Sequence, residues 1–112
     1  MTALDMAKRV ARLLDEKKAQ DVRVMHIGTL TTIGDYFVVA TGTSTTQVKA
    51  LADEIDKKMS EDKIEPKRIE GYSSSNWILM DYRDIIVHIF LSETREFYAL
   101  ERLWSDAPVV EY

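Results

Sequence analysis

The chain has 112 residues, of which 46% are hydrophobic and 30% are charged, and its net charge at neutral pH is −4. This length suits one domain, residues 1–112, with a single core, and the composition is that of a globular protein rather than a disordered one. The mild negative charge argues against binding to nucleic acid through phosphates, and the absence of cysteine excludes disulfides and thiolate metal sites.

The first part of the chain predicts one helix and two strands. Apolar residues recur with helical spacing over residues 3–18, and Thr2 with Asp5 fits a capping box at the start of this helix. Asp21 to Ile27 alternates as a strand does, whereas Asp35 to Thr41 is apolar on both faces, as in a buried strand.

A second helix is predicted after the turn Gly42-Thr43-Ser44. Ser44 and Gln47 fit a capping box, and an apolar stripe follows for about three turns. The next segment, Lys67 to Tyr72, is short and polar, which is typical of a strand near the edge of a sheet. The second helix connects the strand from Asp35 to Thr41 with the segment from Lys67 to Tyr72, and this connection is a candidate right-handed parallel crossover.

The stretch from Asn76 to Leu91 predicts a β-hairpin at the centre of the sheet. Its second strand, Ile85 to Phe90, is apolar on both faces. Its first strand divides into two faces, with Trp77, Leu79 and Asp81 on one and Ile78, Met80 and Tyr82 on the other. Because one face must cover the core, the other shows large apolar groups to a helix or to a partner.

A last helix, capped by Ser92 or Thr94, would place Arg95 and Tyr98 outward. The predicted order is therefore helix, strand, strand, helix, strand, strand, strand, helix. It indicates an α/β fold with a mixed central β-sheet of about five strands flanked by helices.

An enzyme is one functional hypothesis. The Gly42-Thr43-Ser44 turn resembles the glycine–serine turn of nucleotidyltransferases, which presents backbone N–H groups to a phosphate. Phosphoryl transfer also needs paired carboxylates near that turn to hold a metal, but Asp81 and Asp84 stand three residues apart and Asp35 stands alone. The simpler interpretation of the turn is a tight bend with an N-cap.

The two histidines, His26 and His88, form no metal-binding pair, and no serine lies in a nucleophile elbow. A lone histidine on a buried strand is more often a hydrogen-bonded structural residue than a base or ligand. We therefore expect no catalytic set, no metal and no cofactor.

Four blocks of the chain resemble the ribosomal silencing factor family (RsfS, also called Iojap). They are DYFVVATGTSTTQVKA, EG at 70–71, WILMDYRDIIVHIF and REFYALERLW, in the order and spacing of the family. The resemblance implies a nucleotidyltransferase-like fold without catalytic carboxylates, and hence a binding protein rather than an enzyme. It also implies attachment to the large ribosomal subunit through its protein number fourteen, which blocks joining of the small subunit and represses translation when nutrients are scarce.

The family's contact surface maps onto the hairpin region, where Trp77 matches the family tryptophan and Asp81 and Asp84 its aspartates. Trp77 is expected to fill a pocket of the partner while leaving the fold intact when truncated, and Asp81 to pair with an Arg or Lys opposite. The alternative for Trp77 is packing beneath a terminal helix. The predicted partner-binding residues are Glu70, Ser75, Asn76, Trp77, Leu79, Met80, Asp81, Tyr82, Arg83, Asp84, Arg95 and Tyr98.

Arg83 departs from the family pattern, which commonly has glycine there. A two-residue hairpin loop favours glycine because its backbone φ is positive, so Arg83 implies strain, another turn type or a longer loop.

The main hypothesis is thus a cytoplasmic protein that binds the large subunit, with no membrane partner and no sequence-specific nucleic-acid contact. Charges among the first residues argue against a signal peptide, and no apolar run approaches the roughly 18 residues of a membrane span. The alternative is a small nucleotide-binding or nucleotidyltransferase enzyme on the same fold. A homodimer off the ribosome is compatible with the main hypothesis.

Overall fold

A computed structural model describes residues 2–28, 34–94 and 107–112 of the chain. These residues form two helices, α1 (Ala3–Glu16) and α2 (Thr45–Glu61). They also form the six strands β1 (Gln20–His26), β2 (Tyr36–Gly42), β3 (Arg68–Glu70), β4 (Trp77–Asp81), β5 (Ile85–Leu91) and β6 (Val109–Val110). The elements predicted as far as β5 are confirmed, with ends displaced by no more than two residues.

The predicted final helix begins within the described residues, because residues 92–94 are helical. The rest of that prediction, including Arg95 and Tyr98, lies outside the described residues. None of the described helices has both the length and the apolar character needed to cross a membrane.

The strands form one mixed sheet in the order β3-β4-β5-β2-β1-β6. Only the β2–β5 pair is parallel among the pairs described; the other four are antiparallel. The predicted α/β class with a mixed sheet is confirmed, with six strands instead of about five. The additional strand is the tail, in which Val109 and Val110 pair with β1.

The parallel neighbour of β2 was predicted wrongly. In the structure β2 pairs with β5 along its whole length, from Tyr36 opposite Ile85 to Gly42 opposite Leu91. The strand that follows α2, β3, lies at the edge of the sheet and is separated from β2 by the two strands β4 and β5. The physical reason is burial: β5 is apolar on both faces and takes a central place, whereas the polar β3 tolerates solvent at the edge.

Both helices pack on the same face of the sheet, where their apolar stripes meet alternate residues of the central strands. The core on this helix-covered face includes Val10, Leu14, Leu51, Ile55, Val38, Val87 and Ile89. A second cluster lies on the opposite face and includes Met25, Ile27, Phe37, Val39, Ile86 and Phe90. Burial of β5 on both sides is therefore confirmed.

Candidate functional site

Strands β3 and β4 carry a surface patch on the sheet face opposite the two helices. Trp77 and Leu79 are half-buried there against the second apolar cluster. The antiparallel register sets Glu70 beside Leu79 and Arg68 beside Asp81. We call these five residues, Arg68, Glu70, Trp77, Leu79 and Asp81, the β4 patch.

The β4 patch has an apolar centre and a charged rim. Trp77 and Leu79 form the centre, whereas the Arg68 and Glu70 side chains remain 57% and 58% exposed. Many protein–protein interfaces share this arrangement, with aromatic side chains at the middle and polar groups around them. The patch brings together four of the predicted contact residues and adds Arg68.

The Trp77 side chain is held by intramolecular contacts. Its ring stacks on Phe90, with centroids 4.9 Å apart and an angle of 27° between the planes. Its indole Nε1–H donates a hydrogen bond of 3.1 Å to Nδ1 of His88. Trp77 is thus a half-buried, anchored residue, and the predicted structural role of His88 as a hydrogen-bonded residue is confirmed. The alternative for Trp77, packing beneath a terminal helix, lies outside the described residues.

Asp81 already has partners within the chain. Its carboxylate accepts a 2.8 Å hydrogen bond from the backbone N–H of Arg83 and lies 3.4 Å from Nε of Arg68. The residue is buried at the end of β4. Arg68 is therefore the more accessible member of this ion pair, and a basic partner group would have to compete with it for Asp81.

The turn between β4 and β5 has a positive φ at Arg83, where the value is 73°. The Asp84 N–H donates to the Tyr82 carbonyl over 3.0 Å, which closes a three-residue γ-turn around Arg83. The Tyr82 N–H donates to the Ile85 carbonyl over the same distance. Of the three explanations offered for Arg83, strain and another turn type are both observed.

Met80 and Tyr82 lie on the helix-covered face, where they are only 0% and 5% exposed. Alternation along β4 turns both side chains away from the β4 patch. Burial also raises the pKa of the Tyr82 hydroxyl well above its ordinary value. As packed here, neither side chain is available to a partner, and both belong to the core that supports the patch.

Ser75 and Asn76 belong to the loop that leads into Trp77. Ser75 is buried with φ 58°, and its N–H and hydroxyl donate to the carbonyls of Gly71 and Tyr72 at 3.0 and 2.8 Å. Asn76 is exposed, and its carbonyl accepts a 2.9 Å hydrogen bond from Leu91. Hydrogen bonds therefore hold the loop in place, and the loop determines where β4 begins and where Trp77 lies.

The predicted contact residues extend along the whole of β4. Asn76 and Trp77 lie at one end, Glu70 lies beside Leu79 at the middle, and Arg83 and Asp84 lie in the exposed turn at the other end. At a rise of about 3.3 Å per residue, five strand residues separate these ends by roughly 15 Å. A partner that contacts both ends has to cover the whole strand.

The Gly42-Thr43-Ser44 turn begins at the last residue of β2, whereas Asp35, Asp81 and Asp84 lie near the opposite end of the central strands. Gly42 pairs with Leu91 at the last residue of β5, while the Asp35 N–H donates to the Asp84 carbonyl at the start of β2 and β5. Seven residues of β2, roughly 20 Å, separate the turn from these carboxylates. Among the described residues, no group of three or more His, Asp or Glu side chains is placed to hold a metal ion.

The groups of this turn are engaged in capping α2. Ser44 Oγ accepts the Gln47 N–H at 3.1 Å, as predicted. The Gln47 side chain, however, accepts from the N–H and hydroxyl of Thr43 at 2.7 and 3.0 Å, so the second half of the predicted capping box is wrong. This arrangement is a helix start in which a side chain already occupies the Thr43 N–H.

Two residues that shape the site, Arg68 and His88, were not predicted from the sequence to take part in it. Arg68 lay in a segment recognised only as a polar edge strand, and His88 was assigned a structural role without a named partner. Both depend on pairing across strands: Arg68 with Asp81, and His88 beside Trp77. Spacing within one strand carries no signal for such pairs.

Comparison with known proteins identifies relatives over nearly the whole chain. A family model described as "Ribosomal silencing factor during starvation" matches residues 1–112. A protein of Halalkalibacterium halodurans named ribosomal silencing factor RsfS is 39% identical over 111 residues, covering 99% of this chain and 95% of that protein.

Two further relatives extend this comparison. A mouse protein named mitochondrial assembly of ribosomal large subunit protein 1 is 33% identical over 96 residues, covering 83% of this chain and 42% of that protein. A crystal structure of a protein from Chromobacterium violaceum superposes with a TM-score of 0.90 at 33% identity, covering 94% of this chain and 88% of that one.

Proposed function

The chain belongs to the ribosomal silencing factor family, and we propose that it binds the large ribosomal subunit and prevents the small subunit from joining. The proposed contact is the protein numbered fourteen of the large subunit, as the family resemblance implies. The names of the relatives support a ribosomal partner, and one of them refers to the large subunit. The observation that carries the proposal is the β4 patch.

The β4 patch suits a stable contact because its central aromatic is already ordered. Trp77 stacks on Phe90 and donates its N–H to His88, so little rotamer entropy remains to be lost on binding. Tryptophan is also the residue most enriched among side chains that dominate interface energies. Because its donor is used within the chain, Trp77 offers an apolar surface, and we expect it to enter an apolar pocket of the partner.

The rim of the patch provides orientation. Glu70 is exposed beside Leu79, and the chain as a whole has a net charge of −4. The net negative charge of the chain favours a basic partner and speeds its association more than it tightens the complex. Within the rim, Oε1 of Glu70 lies 3.7 Å from Nε of Arg68. The exposed Arg68 beside it supplies one charge of opposite sign, which restricts the ways in which the partner can dock.

The proposed silencing requires no catalysed reaction. The fold measures 33 × 33 × 23 Å, so a molecule seated between the subunits would exclude the small subunit by its volume. The enzyme alternative requires a phosphate-binding turn and metal carboxylates in one place. Here the turn lies at one end of the central strands, and Asp35, Asp81 and Asp84 lie near the other end. This separation favours the binding function.

Co-sedimentation with purified large subunits tests the proposal directly. We expect the wild-type protein to sediment with the subunit and to reduce formation of whole ribosomes when small subunits are added. Glu70→Arg should weaken this binding at least several-fold. Glu61→Arg, the same charge change at an exposed position on α2, is the matched control and should bind as wild type does.

A photo-crosslinking residue in place of Asn76 tests the identity of the partner, because this exposed position borders Trp77. We expect crosslinks to protein number fourteen of the large subunit. A wild-type protein that stays in the supernatant at micromolar concentration would refute the proposed function. Equal binding by Glu70→Arg and Glu61→Arg would refute the β4 patch as the contact surface.

A further inference from the structure

Within the described part of the chain, the buried histidine of β5, His88, takes part in one side-chain hydrogen bond. His88 lies on the same sheet face as Trp77, directly opposite Leu79 and diagonal to Trp77 across the β4–β5 pair. Diagonal neighbours in an antiparallel pair are within reach of large side chains. The result is the 3.1 Å hydrogen bond from the indole Nε1–H of Trp77 to Nδ1 of His88.

His88 is itself held by aromatic rings. Phe37 meets its ring edge-on with centroids 4.6 Å apart, and Phe90 lies parallel to it at 6.1 Å. Phe90 is also the residue on which Trp77 stacks. Among the described residues, a ring beneath it and an acceptor at its N–H position the Trp77 ring.

The direction of the hydrogen bond determines the tautomer of His88. An indole N–H only donates, so Nδ1 must be unprotonated and the ring proton must sit on Nε2. Nε2 is buried and has no hydrogen-bond partner among the described residues. A buried donor without a partner lowers the stability of the folded protein. His88 occupies this position although its Nε2 is unpaired in the described part of the chain, and its other nitrogen, Nδ1, accepts the hydrogen bond that orients Trp77.

We infer that His88 is a positioning residue for partner binding: its Nδ1 acceptor fixes the Trp77 ring in the orientation that the large-subunit contact requires. The binding half of this inference rests on the proposed function, whereas the positioning half concerns the free protein. Burial lowers the pKa of His88 to about 4, so at neutral pH the ring is uncharged and Nδ1 remains an acceptor.

Two substitutions separate the acceptor from the packing. His88→Phe keeps a ring of similar size and removes the acceptor, whereas His88→Asn keeps an oxygen close to the position of Nδ1 and loses most of the ring. A role in packing alone predicts that Phe is better tolerated than Asn in every assay. Positioning of Trp77 predicts opposite orders: Phe above Asn in melting temperature, and Asn above Phe in binding.

The first measurement is the indole N–H resonance of Trp77 by nitrogen–proton NMR on the free protein, assigned with Trp77→Phe. We expect His88→Phe to shift this resonance and to speed its hydrogen exchange at least tenfold. His88→Asn should stay close to the wild type. An unchanged resonance and exchange rate in His88→Phe would overturn the positioning role, whether or not the protein binds ribosomes.

The second measurement is affinity for purified large subunits. We expect about tenfold weaker binding by His88→Phe and a partial recovery by His88→Asn. Ile86→Val, on the same strand and face, controls for a loss of packing and should bind normally. A displaced indole with wild-type affinity would refute the inference alone, whereas a wild type that does not bind would refute the proposed function and leave the NMR result to decide the positioning role.

Discussion

At the scale of single residues, Trp77 packs within the fold and also lies at the centre of the β4 patch. Its ring packs on Phe90 and bonds to His88, yet it remains half-buried at the centre of the β4 patch. The expectation that truncation leaves the fold intact therefore needs revision. A residue anchored in this way contributes both to stability and to any surface it presents.

We expect Trp77→Ala to lower the free energy of unfolding by about 2 kcal/mol and to weaken subunit binding at least thirtyfold. Trp77→Phe keeps the stacking on Phe90, so it should recover most of the stability and only part of the binding. Urea unfolding and co-sedimentation on the same preparations measure both effects. Full binding by Trp77→Ala would show that another surface makes the contact.

Arg83 is the second residue whose conformation leads to a prediction. Its φ of 73° lies in the region where a Cβ atom is unfavourable and glycine is not. We expect Arg83→Gly to leave the free energy of unfolding unchanged or to raise it by less than about 1 kcal/mol. Asp84→Gly, at the next residue, has no positive φ to relieve and should destabilise; denaturant unfolding of both variants makes the comparison.

At the scale of elements, the loop before β4 depends on Gly71. Its φ is 79°, and a Cβ atom there would collide with the carbonyl group of Trp77. The same loop is held by the Ser75 N–H on the Gly71 carbonyl. The loop therefore determines both the path of the chain and the place of Trp77.

Gly71→Ala is expected to cost at least 1–3 kcal/mol of stability, roughly the strain of one unfavourable backbone conformation, and to weaken subunit binding. Ser74→Ala, in the same loop but exposed, should have little effect on either. Thermal unfolding and co-sedimentation report the two consequences. A Gly71→Ala variant as stable as Ser74→Ala would mean that the loop relaxes without cost.

The start of α2 allows a prediction about chemistry. Ser44 caps the helix and Gln47 occupies the Thr43 N–H, while the aspartates lie near the other end of the central strands. We expect no nucleotide transfer with any triphosphate in Mg²⁺ or Mn²⁺, and a loss of about 1 kcal/mol of stability in Ser44→Ala from the missing cap. Reproducible turnover that disappears in Ser44→Ala would support the enzyme alternative.

At the scale of the whole molecule, stability should depend on pH through the buried histidine. His88 has a pKa of about 4 in the folded state, below the ordinary value of 6.5, because burial disfavours its charged form. Between these values the unfolded chain binds a proton that the folded protein does not. Stability is therefore full above about pH 6.5 and falls as the pH drops towards 4.

For the single group, the expected loss between pH 7 and pH 5 is about 2 kcal/mol. Urea unfolding of wild type and His88→Phe at both pH values isolates this contribution, because the variant retains every other titrating side chain. The wild type should show the steeper dependence. Equal slopes would indicate that His88 is not the buried neutral group described here.

Local sequence determined the elements and the central place of the hairpin. The spacing of apolar residues predicted α1 and α2, and the doubly apolar run from Ile85 predicted a strand buried on both faces, because periodicity and burial are properties of a single segment. The family was recognisable from the same blocks. The conformation of Arg83 stayed open at this level, because strain, another turn type and a longer loop all fit a non-glycine residue at that position.

The tertiary structure alone decided how distant segments meet. The parallel pairing of β2 with β5, the ion pair of Arg68 with Asp81 and the hydrogen bond of Trp77 with His88 all join different strands. Strand order and register depend on the competition of all strands for the buried positions, and the spacing within one strand does not express that competition. For this reason the sequence predicted a tryptophan at the surface, but only the folded chain revealed what holds it there and that the glycine–serine turn lies far from Asp35, Asp81 and Asp84.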